Sequence, residues 1–213
     1  MRSLLSVSLC LLLMCSACAP SITKGCRKGD VQVVGKERLS PMIDAAARLC
    51  KYNMTIDFMR KHFSGLLLVK ETEAGTYRTL FSTHFGLSLF DLEIGGDTLI
   101  VHHCIEPLNK KKILALFQRD FSVLLGLNNL QSGNKAIVYT CTPPRTDVVY
   151  KLSTPGFSGY YRMNEATGCM QEIRLGSGLR KTVFRSLPPT TGTKAIRIKH
   201  TGLRLSLGLD AIQ

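Results

Sequence analysis

Residues 63–105 read FSGLLLVKETEAGTYRTLFSTHFGLSLFDLEIGGDTLIVHHCI, and this stretch decides the fold. Four β-rich runs, 63–70, 75–83, 87–94 and 98–105, are separated by Glu73-Ala74-Gly75, Phe85-Gly86 and Gly95-Gly96-Asp97. The separators have hairpin length and turn residues. Links this short make successive strands antiparallel neighbours, so the stretch is a meander. Some of its strands are apolar on both parities: Leu66 and Leu68 against Leu67 and Val69, Leu87 and Leu89 against Phe90 and Leu92. That predicts a sheet covered or lipid-adapted on both faces there.

Working outward, 54–59 is one more β-rich run, and 40–51 carries a helix signature. Ser40 is a good N-cap, Pro41 suits the first helical position, and Met42, Ile43, Ala46 and Leu49 follow helical spacing. After the meander, Ile113, Leu114, Phe117, Phe121, Leu124 and Leu125 recur at three and four and form one helical stripe, which Gly126 can end. Strands resume over 135–142, 147–152, 159–163, 169–175, 180–184 and 195–207, with Pro and Gly at the joints. In the last run the apolar set moves from Ile196 and Ile198 to Leu203, Leu205, Leu207 and Leu209, which predicts a bulge near 200–202. The class is α+β, mainly β. About eleven antiparallel strands this wide would form one strongly curved sheet, with the 113–125 helix on its concave face.

The N-terminus reads as an address. Arg2 precedes an apolar run over 4–14, too short for the roughly 20 residues that span a bilayer. It fits the core of a secretory signal. The sequence Cys15-Ser16-Ala17-Cys18 then resembles the lipobox of bacterial lipoproteins, although Cys15 stands where Leu is usual. That resemblance implies a signal over 1–17 and acylation of Cys18. Acyl chains contribute about 0.8 kcal/mol per buried CH₂, enough for several to hold a protein on a bilayer. Residues 18–30 then read as the lipidated terminus and a flexible tether, and 31–213 as a single domain. Export removes nucleic acid as a partner.

The mature chain would keep Cys26, Cys50, Cys104, Cys141 and Cys169, an odd number with no C-x-x-C pair. They read as small buried residues, or as one disulfide in an oxidising envelope with at least one thiol left over. No hydrolase elbow, zinc-protease helix motif or phosphate-binding loop is present, so no catalytic residue, metal or cofactor is expected. His102-His103-Cys104 reads as mixed core and surface, and Asp91 with Glu93 as a solvated pair. The net charge of +13 favours anionic partners. Lys110, Lys111 and Lys112 open the helix, where the macrodipole disfavours cations by a few tenths of a kcal/mol. An anionic lipid head would compensate.

The strand order, the helix between strands, and Phe63-Ser64-Gly65-Leu66-Leu67, Tyr77-Arg78, Phe85-Gly86-Leu87, Phe90-Asp91, Leu108-Asn109-Lys110-Lys111 and Asp120-Phe121 resemble the LolA/LolB-like superfamily of Gram-negative envelope proteins. The resemblance covers about 57–209. It implies an unclosed β-barrel capped by helices, with an apolar cavity for acyl chains, on a non-enzymatic protein anchored in the outer membrane and facing the periplasm. The membrane-inserting hairpin of the LolB branch has no counterpart at Glu73-Ala74-Gly75, which is short and polar. Leu66, Leu68, Phe81, Leu89, Leu114, Phe117 and Phe121 are the candidate cavity wall, with Lys110, Lys111 and Lys112 at its mouth. Lipid or lipoprotein acyl chains are the expected cargo. The alternative is a structural or interaction lipoprotein whose core is filled by its own side chains.

Overall fold

The computed structural model describes residues 21–35, 38–45, 48–127, 134–143, 146–154, 157–176, 181–188 and 194–212. The expected signal, residues 1–17, and Cys18 lie outside these residues. A 3-10 turn (Ser21–Thr23) leads into β1 (Cys26–Val34). Then come β2 (Cys50–Phe58), β3 (Lys61–Glu73), β4 (Thr76–Ser82), β5 (Ser88–Gly95) and β6 (Thr98–Cys104). Helix α1 (Lys111–Leu124) separates these from β7 (Asn134–Cys141), β8 (Asp147–Thr154), β9 (Phe157–Asn164) and β10 (Met170–Leu175). The chain finishes with β11 (Thr182–Leu187), β12 (Ala195–His200) and β13 (Leu205–Ala211). All thirteen strands form one sheet in the order β1-β7-β8-β9-β10-β11-β12-β13-β2-β3-β4-β5-β6. Each neighbouring pair is antiparallel, and the sheet is unclosed, with β1 and β6 at its edges.

Alternation decides which face is inside. On β2, Tyr52, Met54 and Ile56 are buried while Lys51, Asn53 and Asp57 are exposed, as period two requires. Inward residues of β2 to β5 and of β8 to β13 belong to one continuous core with α1, so the sheet curves round the helix. Helix α1 spans about 21 Å, carrying the chain from the β6 edge back to β7 beside β1. It ends in a Schellman motif: Leu127 donates to the Ser122 carbonyl at 2.8 Å, Gly126 donates to that of Val123, and Gly126 takes φ +68°.

Four expectations are corrected. Among the described residues there are thirteen strands rather than eleven, because β1 was not foreseen and the run 195–207 is two strands. Gly202 at φ +86° turns the chain between β12 and β13, and a hairpin, not a bulge, changes the apolar parity. The helix expected over 40–51 is not formed among the described residues there. Met42, Ile43 and Ala45 are instead buried in an irregular plug, with Ile43 donating to the last-turn carbonyl of Leu124 at 2.9 Å, and Cys50 already pairs in β2. Tertiary packing there outweighs local helix propensity.

The tether is the fourth. Its second half is the ordered edge strand β1, and Cys26 is disulfide-bonded to Cys141 across 115 residues of chain. Ile22 is fully buried against Cys141 and Val149. The bond restrains a long loop in the unfolded chain. Replacing Cys26 and Cys141 together by Ser should lower unfolding free energy by about 2–4 kcal/mol, read by urea titration. An unchanged urea midpoint would mean that the strand pairing alone holds this edge.

Candidate functional site

The expected wall residues separate by parity. Leu67 and Val69 point into the core, so Leu66 and Leu68 lie on the outer face, half-buried, with Leu80 opposite Leu68. Their inward assignment is corrected: β3 is apolar on both parities, and only the pairing with β2 selects the inner set. Phe81, Leu89, Phe117 and Phe121 are buried, and Leu114 is half-buried at the core margin. The Phe81 and Phe90 rings lie 5.3 Å apart, Phe90 and Phe117 5.4 Å, and Phe90 and Phe121 6.2 Å, all tilted or edge-on. These are contact geometries of a packed aromatic cluster. Phe90, which the sequence reading placed in a strand but not on the wall, stands at the centre of this cluster.

Beside the cluster, α1 buries charge. Asp120 is 1% exposed and its Oδ2 lies 2.8 Å from Nε2 of His200, an inward residue of β12 that is itself buried. The pair is a close charge approach rather than an aligned hydrogen bond, since neither atom has a well-oriented partner. Arg119 donates to Asp120 Oδ1 and, at 2.6 Å, to the Thr182 hydroxyl on β11. His200 Nδ1 lies 3.2 Å from the Leu205 carbonyl, which accepts its proton. The network ties the helix to the far side of the sheet. Sequence periodicity hid it, because Asp120 lies three residues after Phe117 and beside Phe121 on the apolar stripe.

Lys110, Lys111 and Lys112 are exposed, and Lys110 pairs with Glu106 at 3.2 Å. They line neither of the two recesses described next. One recess, about 570 Å³, lies at the β12–β13 turn between Asp57, Met59, Leu203 and Arg204. The other, about 590 Å³, lies over Arg162, Glu172, Arg185, Leu187 and Lys194. Desolvation pulls the Lys194 ammonium below its ordinary range, and its Nζ donates to the Met42 carbonyl at 2.6 Å.

The histidine and acid pairs resolve into local contacts. His102 lies 3.1 Å from Glu93, Arg78 grips Asp91 through two bonds of 2.9 and 2.7 Å, and that grip holds the Asp91 carboxyl below its ordinary value. Burial pushes the Cys104 thiol up to about 11, so it stays protonated and unreactive at neutral pH. Among the described residues no group of three or more His, Cys, Asp or Glu is placed to hold a metal.

The feature that the sequence reading passed over is the β4–β5 connection. Thr83 donates to the Leu87 carbonyl at 2.8 Å, Gly86 to the Thr83 carbonyl at 3.0 Å, and Leu87 to the Thr83 hydroxyl at 3.1 Å. Gly86 takes φ +86°, which a side chain would strain. This fixed turn holds Phe85 fully exposed and Leu87 at 63% exposure. Gly65 permits it: a Cβ there would meet the Ser82 carbonyl oxygen at 2.0 Å. Phe85-Gly86 reads as a separator in the sequence, and Leu87 as the first residue of a strand. Only the turn geometry makes them one apolar tip. No helix among the described residues is long and apolar enough to cross a membrane. No family model matches the chain, and no curated protein matches it.

Proposed function

We propose that this chain is an N-terminally acylated envelope protein, held through Cys18 on the periplasmic side of the outer membrane, that engages lipid or lipoprotein acyl chains as LolA/LolB-like proteins do. The curved, unclosed antiparallel sheet with one helix in its concavity is consistent with that likeness. The observation that carries the reading is the rigid apolar tip formed by Phe85 and Leu87. Each side chain contributes about 1.5–3 kcal/mol when moved from water into hydrocarbon, so together they suit contact with acyl chains. The role is one of binding.

A second reading has its own observation. The tight cluster of Phe81, Phe90, Phe117 and Phe121 favours an interaction lipoprotein with a filled core. The chain has no tryptophan, so Phe85→Trp introduces a sole indole, excited apart from the tyrosines at the red edge of their absorption. Lipid vesicles should shift its emission to the blue and bring it within reach of brominated acyl chains. Emission that stays that of a water-exposed indole would remove the lipid-contact reading and leave the filled-core one. In the same cells, Cys18→Ser should abolish labelled fatty-acid incorporation.

A further inference from the structure

We propose that the end of the sheet carrying the Phe85 turn is a docking surface for an anionic lipid bilayer, with Met59 as a further apolar point and Arg60, Lys61 and Arg204 meeting the lipid phosphates. This deepens the lipid-contact reading of Phe85 and Leu87, and it needs no acylation of Cys18.

Register brings three turns to this end. Strand β3 pairs with β2 back to Lys61, opposite Phe58, but with β4 only back to Leu66, opposite Ser82. The β2–β3 hairpin therefore reaches about 16 Å past the last β3–β4 pair. The Phe85 turn lies at its flank, where a Cβ on Gly65 would meet Thr83. On the hairpin's other side Met59 donates to the Arg204 carbonyl at 2.8 Å, which pins it to the β12–β13 turn. Ile105 donates to the Leu89 carbonyl and Asn109 to that of Ile105, which brings the start of α1 to the base of the Phe85 turn.

These segments expose two kinds of side chain. Met59, at 70% exposure, joins Phe85 and Leu87. Arg60, Lys61, Arg204, Lys110, Lys111 and Lys112 are all exposed, and the acids beside them are Asp57 and Glu106. Asp57 lies 2.7 Å from His62, and Glu106 pairs with Lys110. Arg60, Lys61, Lys111, Lys112 and Arg204 have no ion-pair partner among the described residues. The recess of about 570 Å³ between the β2–β3 and β12–β13 turns sets Met59 and Leu203 beside Lys199 and Arg204.

Backbone strain points the same way. Met59 takes φ +57° at the first of the two turn residues between Phe58 and Lys61, a position that glycine ordinarily fills. A methionine there strains the backbone while its side chain stands in water, so the side chain has a use outside the fold. Apolar points at different heights, set among long cationic side chains, suit a fluid surface that each enters by itself. A folded partner would need a matching pit for each. The unpaired cations select an anionic leaflet. The described chain begins at the opposite end of the sheet, where Cys26 is bonded to Cys141, so this contact is separate from one made through Cys18.

The test again uses the absence of tryptophan. Met59→Trp and, separately, Phe85→Trp are made in the protein as its cells process it. Each is mixed with an excess of brominated vesicles, either phosphatidylethanolamine with phosphatidylglycerol or phosphatidylcholine alone. On the anionic set both indoles should shift to the blue and be quenched, whereas Glu165→Trp, at the opposite end, should report water. Arg60→Gln, Lys61→Gln and Arg204→Gln should each lower the Met59→Trp contact equilibrium about fivefold on the anionic set, the factor for one cation near an anionic surface, and high salt should lower it too. Met59→Gly in the Phe85→Trp protein should leave the urea midpoint no lower, because glycine relieves the strain, yet weaken the contact about tenfold. Quenching of Phe85→Trp without Met59→Trp overturns this surface and leaves the tip reading standing. Quenching of neither, the result for an acidic protein partner, overturns both. Equal contact of Met59→Trp with the two vesicle sets, or contact that survives Met59→Gly unchanged, also overturns the proposal.

Discussion

Phe117→Ala should destabilise the domain by about 3–5 kcal/mol, the range for deleting a fully buried aromatic ring. The ring has no exposed area, and it lies against Phe90, which itself touches Phe81 and Phe121. Removing it takes contacts from the core between α1 and β5 and leaves a void that the rigid sheet collapses into only partly. The urea midpoint should fall with the slope unchanged. The same variant separates the two functional readings. A void beside Phe90 in this apolar core is itself apolar, and a fatty acid that enters it should recover part of the lost stability. If the loss is instead under about 1 kcal/mol, the helix is a loose lid over space already present, and the acyl-cavity reading takes the lead.

Asp120→Ala should cost about 3 kcal/mol, because it removes the buried carboxylate beside His200 and leaves Arg119 only the Thr182 hydroxyl as its acceptor. His200→Ala should also destabilise. Replacing both with leucine should cost less than the sum of the singles, since a well-packed apolar pair often matches a buried ionic one. Additive losses in that cycle would show that the 2.8 Å approach carries no coupling. The network joins α1 to β11 and β12, whereas the Phe90 contacts join it to β5. Loss of the first alone should therefore loosen only one side of the helix, seen as faster amide exchange in β11 and β12 than in β5.

Much of the sheet was legible because period two is strong where only one face is buried. The burial of Tyr52, Met54 and Ile56 on β2 follows directly from alternation with Lys51, Asn53 and Asp57. Where both parities are apolar, as at Leu66 to Val69, the pattern holds no information about direction, and the inward pair was misjudged for that reason. Strand β1 was missed because Arg27, Lys28, Gly29 and Asp30 look like a linker, and only pairing with β7, with a disulfide whose partners the sequence left open, makes them an edge. Gly202 misled through ambiguity: a parity change fits a bulge or a turn equally well until the next strand's partner is known. The candidate site was the least legible part. Phe85 is exposed because of three hydrogen bonds in a five-residue turn, and nothing in a residue's type announces that.

The seam between β13 and β2 sets a timetable. Strand β2 is made early, yet one of its two edges stays open until Leu205–Ala211 has been synthesised, because β13 is its partner there. Strand β1 likewise waits for β7. Until β13 arrives, the chain is two separate meanders, one from β2 to β6 and one from β7 to β12, each with raw strand edges and half a core. Closing the seam brings together segments about 150 residues apart, the kind of distant pairing that folds slowly and sticks to other chains meanwhile. Truncation before β13 would thus cost far more than the seven residues of that strand, for it would leave both halves without the strand that makes them one sheet.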